Sequence, residues 1–544
     1  MSLPRQSIAP VPEETVEVAR AAFPKGNEYL QMRDEFGSLY TDDMFTDLYP
    51  KDGQPAVRPW RLALVTVMQF AENLSDRQAA DAVRDRIAWK YALSLELTNP
   101  GFDFSVLSEF RQRLLAHEAG QRLLDEMLQV FRTKGYVKAR GQQRTDSTHV
   151  LAAVRELNRL ENVGTTLRHA LNSLATVVPD WLRAQVPLEW FDRYGPRFEQ
   201  YRLPKSKKQQ RELAEQVGAD GYQLLTAVYT SPTMIWLREV PAVELLRRVW
   251  MQQFWVDQGQ VRLRDVKNML PVADWIRSPF DVEARYCTKG QTGWVGYRAH
   301  LTETCDSDSP HVVTHVKTTA APVQDGQVTS AIQDDLAALD LLPTEHLVDA
   351  GYVDTNHLIH SHQQGIDLIG PAPLDTSWQA QTEDGLDHSQ FMIDWEAQTI
   401  TCPAGQSSTA WHRSRSQRHA PVFRITFDPK TCQACELRGR CTRGQARGLT
   451  LRPRPQHEAL QAARQREHTD AFKEKYRKRA GVEGTISQAT RTGDLRRSRY
   501  IGLEKTHLQN LAIAAALNLA RVVAWLNEVP LAPTRKSRFA TLAA

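Results

Sequence analysis

Between residues 294 and 370 the chain reads WVGYRAHLTET (294–304), HVVTHVKTT (311–319), GQVTSAIQDDLAALDLL (326–342), HLVDAG (346–351), DTNHLIHSH (354–362) and IDLIG (366–370). The first two segments are β-branched and aromatic with partial alternation, and the turn CDSDSP lies between them, the pattern of a hairpin. Val328, Ile332, Leu336 and Leu339 then fall on one helical stripe. HLVDAG is a short apolar strand that ends in an acid, DTNHLIHSH a helix and IDLIG another strand. The period changes to this pattern from about Val282. The order β-β-α-β-α-β, with acids at strand ends, predicts a mixed α/β core.

Working outward, the chain before this core reads as helical. Residues 1 to about 55 carry loop signals. From Pro59, which suits a first helical turn, Leu62, Val65, Phe70 and Leu74 keep an apolar stripe. Ser75 and Gln78 form a capping box for a helix in which Ala79, Val83, Ile87 and Tyr91 repeat every four residues. The loop TNPGFDFS leads to a further helix from Val106 through Leu115. Short helices joined by tight turns suit a DNA groove and equally suit plain helix packing. Residues 151 to about 275 also read as helical, with Leu151, Val154, Leu157 and Leu160 at helical spacing, and nothing there has catalytic spacing.

After the core, residues 371 to about 470 hold a cysteine cluster, many arginines and little periodicity. A helix is expected from Ala471 (AFKEKYRKRAGVEGTISQATR) and a final apolar one over HLQNLAIAAALNLARVVAWL. Its best apolar run, Leu511 to Leu526, is interrupted by Asn518 and Arg521 and falls short of the ~20 apolar residues a membrane span needs. The tail PTRKSRFATLAA is expected to be loose. The N-terminus has no apolar signal core, so a cytoplasmic protein is expected.

The 544 residues are 41% hydrophobic and 24% charged, ordinary globular composition that excludes a wholly disordered, collagenous or polytopic membrane chain. At roughly 150 residues per domain, three or four domains are expected. The net charge of +4 is unevenly spread. Residues 411 to 505 carry 23 Lys and Arg against 9 Asp and Glu, a net +14 that leaves the rest at −10. Such a block suits a polyanion partner, most simply nucleic acid, or a solvated charged surface.

Of six cysteines, Cys402, Cys432, Cys435 and Cys441 fall within 40 residues. A C-x-x-C pair with two more thiols nearby suits tetrahedral Zn²⁺; free thiols and an iron–sulfur cluster are the alternatives. Four Cys leave no open position for catalysis, so such an ion would be structural. Among the acids, Asp146 lies in QRTDSTHV just after an expected strand, and Asp349 ends HLVDAG. Oxygen ligands of this kind suit hard divalent cations. On the late helix Tyr476, Arg479 and Glu483 are spaced to share one face. Composition alone does not select these acids from the 64 present.

The phrases RTDSTHV, WVGYRAHLTET, HLVDAGY and YRKRAGVEGTISQ, in this order, resemble bacterial insertion-sequence transposases of the DDE class. The likeness is closest to the branch with a helical N-terminal domain and a cysteine-bearing insertion before the last acid, and it runs from about residue 25 to 530. It implies an RNase H-like catalytic core. It assigns Asp146 on the first strand, Asp349 on the fourth and Glu483 on the late helix as ligands of two Mg²⁺ (or Mn²⁺) ions. The acids are 203 and 134 residues apart, so inserts must separate them.

The implied division is a helical DNA-binding and dimerisation domain (1–140), a catalytic domain (141–150, 281–370 and 471–530), a helical insertion (151–280), a small Cys-rich zinc-binding basic insertion (371–470) and a tail (531–544). One departure stands out. Related transposases carry a Lys seven residues after the Glu, where this chain has Thr490 followed by Arg491.

The resemblance further implies hydrolysis at each transposon end and attack of the freed 3′-OH on target DNA. The partners would be terminal inverted repeats, target DNA and at least a second copy of the chain. Tyr476 and Arg479 would steady end phosphates. Arg413, Arg415, Arg418, Arg491, Arg496, Arg497 and Arg499 would supply counter-charge. His149, His300 and Glu303 are candidate helpers or satisfied polar groups, and Trp294 a stacking platform or core. The rival readings are a nuclease of the same fold that cuts without joining, and a transposase-derived DNA-binding protein without activity.

Overall fold

The computed structural model describes residues 7–417 and 419–530, with Leu3, Arg538, Phe539 and Leu542. Arg418 and nearly all of the tail lie outside the described residues.

A six-stranded mixed sheet organises the chain. Its strands are β1 (Gln142–Leu151), β2 (Arg285–Lys289), β3 (Thr292–Thr304), β4 (Val313–Ala320), β5 (Glu345–Val348) and β6 (Asp367–Ile369). β3 pairs antiparallel with β1, β2 and β4, while β5 runs parallel to both β1 and β6. The sheet therefore runs β4-β3-β1-β5-β6, with β2 extending along the first half of β3. The helices Thr329–Ala338 and Thr355–Gln363 lie between β4, β5 and β6 in sequence, as expected. β1 is longer than expected, so Asp146 lies in mid-strand rather than after it. β1 and β3 come close enough at Gly296 that a Cβ there would stand 2.1 Å from the Val150 carbonyl oxygen.

The last helix, Leu503–Leu526, is apolar almost all round, as a buried helix must be, and packs on β4 and on the helix Pro59–Ala71. It is long and apolar enough to cross a membrane, yet most of it is buried inside the protein. The two residues that interrupt its apolar run explain the placement. Asn518 donates to the Val313 carbonyl (2.8 Å) and accepts from the Val313 N–H (2.6 Å). Arg521 donates to the buried carboxylate of Glu303 (2.7 Å).

Several sequence expectations are corrected. Residues 13–22 and 28–36 are helices and 42–48 a 3₁₀ turn; Tyr29, Met32, Tyr40 and Phe45 join the main core. The lead-in is therefore packed structure whose amphipathic segments are short. The Ser75 capping box forms, but its helix stops at Asp85 and restarts at Ile87, with Arg86 extended between. Leu151 belongs to β1, not to a helical stripe. It pairs with Gly296 and donates its N–H to the Arg496 carbonyl, and the helix begins only at Arg159, capped by Asn158 and Glu161.

The insertion has its own core, built on Leu167, Leu174, Leu246 and Trp250. It is not all-helical: Phe254–Asp257 and Gln260–Leu263 form a hairpin about the turn Gln258–Gly259, both of positive φ. The Cys-rich segment is also more regular than its sequence suggests. It holds a three-stranded sheet (Ala410–Arg415, Pro421–Thr426, Gly448–Leu451) and a helix, Arg454–Glu467.

Candidate active site

β1 carries Asp146 on the same face as Arg144 and Thr148, and the loop after β5 carries Asp349, which caps the turn Ala350–Tyr352. The third acid comes from the late helical segment, which is broken where one continuous helix was expected. Asp470–Arg477 is α-helical, Lys478–Ala480 is 3₁₀, and Gly481–Gly493 is α-helical again. Arg479 sits in the break and Glu483 in the first turn of the second helix, where a carboxylate suits the helix dipole.

All three carboxylates meet on the Arg479 guanidinium. Nη2 stands 2.6 Å from Asp146 Oδ2 and 3.9 Å from Asp349 Oδ2, and Nη1 stands 2.9 Å from Glu483 Oε1. Exposure rises across the set, from 11% for the Asp146 side chain to 44% for Asp349 and 66% for Glu483. The site is thus walled on the β1 side and open on the helix side. Burial pushes the Asp146 carboxyl above its usual range, only partly offset by Arg479 and the Ser147 N–H. Burial works against the charge of Arg479 as well, but Asp146 and Asp349 outweigh it and its pKa rises.

As the side chains stand, no group of three or more His, Cys, Asp or Glu among the described residues is gathered closely enough to hold a metal ion. The cation at the centre of the acids is Arg479. The donor set is nevertheless all-oxygen and collected on one cation, which fits hard divalent ions.

Tyr476 stacks on Phe472 (ring centroids 5.6 Å apart) over a small cluster with Cys305, Leu347 and Ile369. Burial raises its phenol pKa, and Asp349 and Asp146 add to the rise while Arg479 opposes it. His149 packs against Trp294 with ring centroids 5.6 Å apart and the rings tilted, and burial, with Arg496 and Lys289, lowers its pKa. Lys289, at the end of β2, also acts on Asp146; nothing in its sequence context marked it. Trp294 is core, its indole N–H donating to the Tyr297 carbonyl. His300 and Glu303 are fully buried. His300 bonds the Tyr352 hydroxyl and Glu303 bonds two arginines, so both are hydrogen-bonded within the fold.

The arginines divide. Arg496 donates to Thr148 Oγ1 on β1 at 2.9 Å and is exposed, as are Arg497 and Arg491. Arg499 is engaged within the fold: it donates to the Leu74 carbonyl (2.7 Å), bonds Asn73 and lies over the Phe70 ring. Arg413 and Arg415 are exposed on the small sheet.

Cys402, Cys432, Cys435 and Cys441 line one pocket with Phe427 and Arg447, and all four are free thiols. Burial raises the Cys441 pKa; Arg447 opposes the rise and the other three thiols add to it. The Gln406 N–H donates to Cys402 Sγ at 3.4 Å.

Acids delivered to one point by a strand, a strand end and a helix make this a candidate site for metal-assisted phosphodiester chemistry. Two family models match the chain: "Transposase DDE domain" over residues 401–523 and "Transposase domain (DUF772)" over residues 17–113. These matches, each over part of the chain, support an insertion-sequence transposase of the DDE class, a class whose catalytic domain implies an RNase H-like core and the use of divalent metal ions. No curated protein and no solved structure matches it.

Proposed function

We propose that this chain cuts DNA at the ends of its own element and joins the freed 3′-OH to target DNA, with Asp146, Asp349 and Glu483 as the catalytic acids. The observation that carries this reading is their convergence, from far-apart positions, on the one guanidinium of Arg479.

The three carboxylates would hold a pair of Mg²⁺ or Mn²⁺ ions, which would supply an activated nucleophile and neutralise the leaving 3′ oxygen. Arg479 would leave the acids for a DNA phosphate when cations replace it, a geometry its forked donors suit. Asp146, walled in against β1, fixes the inner edge of the site, while exposed Glu483 stands where the DNA backbone must enter. Tyr476 offers its hydroxyl beside that entry. Exposed Arg491, Arg496 and Arg497 add counter-charge along the duplex, with Arg413 and Arg415 as further DNA contacts. Arg499 instead anchors the segment after the second late helix to the N-terminal helices. Hydrolysis and joining differ only in the nucleophile, water or a 3′-OH, so one site serves both.

The four cysteines would hold a structural Zn²⁺: four soft thiol ligands line one pocket in a segment with a small apolar core. The N-terminal helices would contact DNA or a second copy of the chain, since two ends must be brought together, and the protein would act at the nucleoid in the cytoplasm.

The test is to incubate the full chain with DNA carrying the element's end and Mg²⁺, and to map the cut strands. Cleavage at the end followed by joining of a pre-cut 3′ end to a second duplex supports the reading. Cleavage without joining would make the chain a nuclease, and binding without either would make it a DNA-binding protein.

A further inference from the structure

Behind the acids lies a buried charge cluster that none of the candidate functional residues needs for its own contacts. Glu303 on β3 has no exposed surface. Its Oε1 accepts from Arg144 Nε at 2.7 Å. Its Oε2 accepts from Arg521 Nη1 at 2.7 Å and from the Thr485 hydroxyl at 2.6 Å. Arg144, two residues before Asp146, passes Nη1 on to the Lys478 carbonyl at 2.6 Å, inside the 3₁₀ break. Arg521, on the last helix, passes Nη2 to Thr485 Oγ1 (2.7 Å) and Gln488 Oε1 (3.0 Å). Thr485 and Gln488 belong to the helix that carries Glu483.

The geometry leaves no slack. At Gly481 a Cβ would stand 2.1 Å from Arg144 Nη1, so the helix start rests directly on the guanidinium. The Lys478 carbonyl, at the interruption between two helices, accepts from the Gly481 N–H and takes a second donor from a strand. Burying one anion between two cations is weak evidence for stability, since desolvation offsets most of the attraction. What such a cluster does supply is register: its bonds form in one arrangement of β1, β3, the Glu483 helix and the last helix. A metal site needs its ligands held to within about 0.5 Å. Asp146 and Glu483 come from elements with no covalent proximity.

We propose that Glu303, clamped by Arg144 and Arg521, is a positioning residue that fixes the helix bearing Glu483 against the strand bearing Asp146. The inference rests on the reading of Asp146, Asp349 and Glu483 as the ion-holding acids. Its substance is that affinity for divalent ions is set from behind the site, through Thr485 and Gly481, by groups that touch neither ion nor DNA.

The test uses the full chain and Mn²⁺, with free Mn²⁺ followed by electron paramagnetic resonance, beside end cleavage and DNA-end affinity. Thr485→Val keeps shape and removes the hydroxyl between Glu303 and Arg521. It is expected to weaken Mn²⁺ binding about 10-fold, the lower end of what outer partners of a metal site contribute. Cleavage should fall in step and recover at higher Mn²⁺, with DNA-end affinity unchanged. Thr485→Ser should restore Mn²⁺ binding and cleavage. Gly481→Ala, which displaces Arg144 instead, should reproduce the Mn²⁺ defect.

Wild-type Mn²⁺ affinity in both Thr485→Val and Gly481→Ala, whether or not they melt earlier, would overturn the proposal. Glu483→Gln separates the two layers. If it loses Mn²⁺ binding while neither Thr485→Val nor Gly481→Ala does, the positioning role alone falls. If Glu483→Gln binds Mn²⁺ like the wild type, the reading of the acids falls and the positioning role with it.

Discussion

The acid site and the cysteine pocket gather ligands in opposite ways. Asp146, Asp349 and Glu483 arrive from a central strand, a strand end and a helix, all anchored in the core that joins the sheet to the N-terminal helices. Their geometry is set by structure that stands without them. Cys402, Cys432, Cys435 and Cys441 come from one contiguous segment whose core holds only seven buried residues, among them Ile400, Ile425 and Phe427. There the thiols have little behind them. On the proposed reading the difference separates a metal that would act on the reaction from one that would act on the fold: side chains fixed by a large core can be lost without unfolding it, whereas thiols packed against a small core would matter to its folding.

The largest effect should come at the acids. Asp349→Ala is expected to lower end cleavage by at least about 100-fold, since even outer partners of a metal site contribute 10- to 100-fold. DNA-end affinity and melting temperature should hold. A melting loss as large as the activity loss would erase the contrast between the two regions.

Next comes Cys432→Ser. Residues 401–451 should lose hydrogen-exchange protection while β1 and β3 keep theirs, and bound zinc should fall from one per chain to none. Retained protection in the variant would show that the small core stands alone.

A smaller effect concerns Asn518→Leu, which strips the Val313 N–H and carbonyl of their partner. A loss of about 1–3 kcal/mol in denaturant unfolding is expected for buried polar groups left unsatisfied, with exchange protection of the cysteine segment unchanged.

The last is a pH slope. Burial lowers the pKa of His346, a residue of β5 whose ring meets Thr145 and Gln333, from 6.5 to about 4. The unfolded chain therefore binds the proton first as pH falls, so this residue's contribution to stability begins to be lost below about 6.5 and the loss is complete near 4. His346→Gln should flatten that part of the profile, measured by denaturant unfolding between pH 7 and 4.

Local pattern made the hairpin of β3 and β4, the two helices and the strands β5 and β6 legible from the chain, because each depends on its own periodicity, while β2 carries too short a pattern to be read. The capping box at Ser75 is equally local. What stayed hidden depends on partners far away in sequence. The Glu303 cluster joins residues 144, 303, 485 and 521, and nothing near any of them marks the others. The 3₁₀ break at Lys478–Ala480 exists where Arg144 meets Lys478. Leu151 has helical spacing with its neighbours and is claimed by β1 because Gly296 and Arg496 stand opposite. The acids themselves were chosen by resemblance, not by periodicity, since nothing local separates Asp146 from any other Asp.

The most direct test of the central claim is anomalous diffraction from the full chain bound to a DNA end in Mn²⁺. The account predicts Mn²⁺ peaks in contact with Asp146, Asp349 and Glu483, with the Arg479 guanidinium moved from between them onto a phosphate. Mn²⁺ bound elsewhere, with Arg479 still bridging the three carboxylates over the DNA, would contradict it.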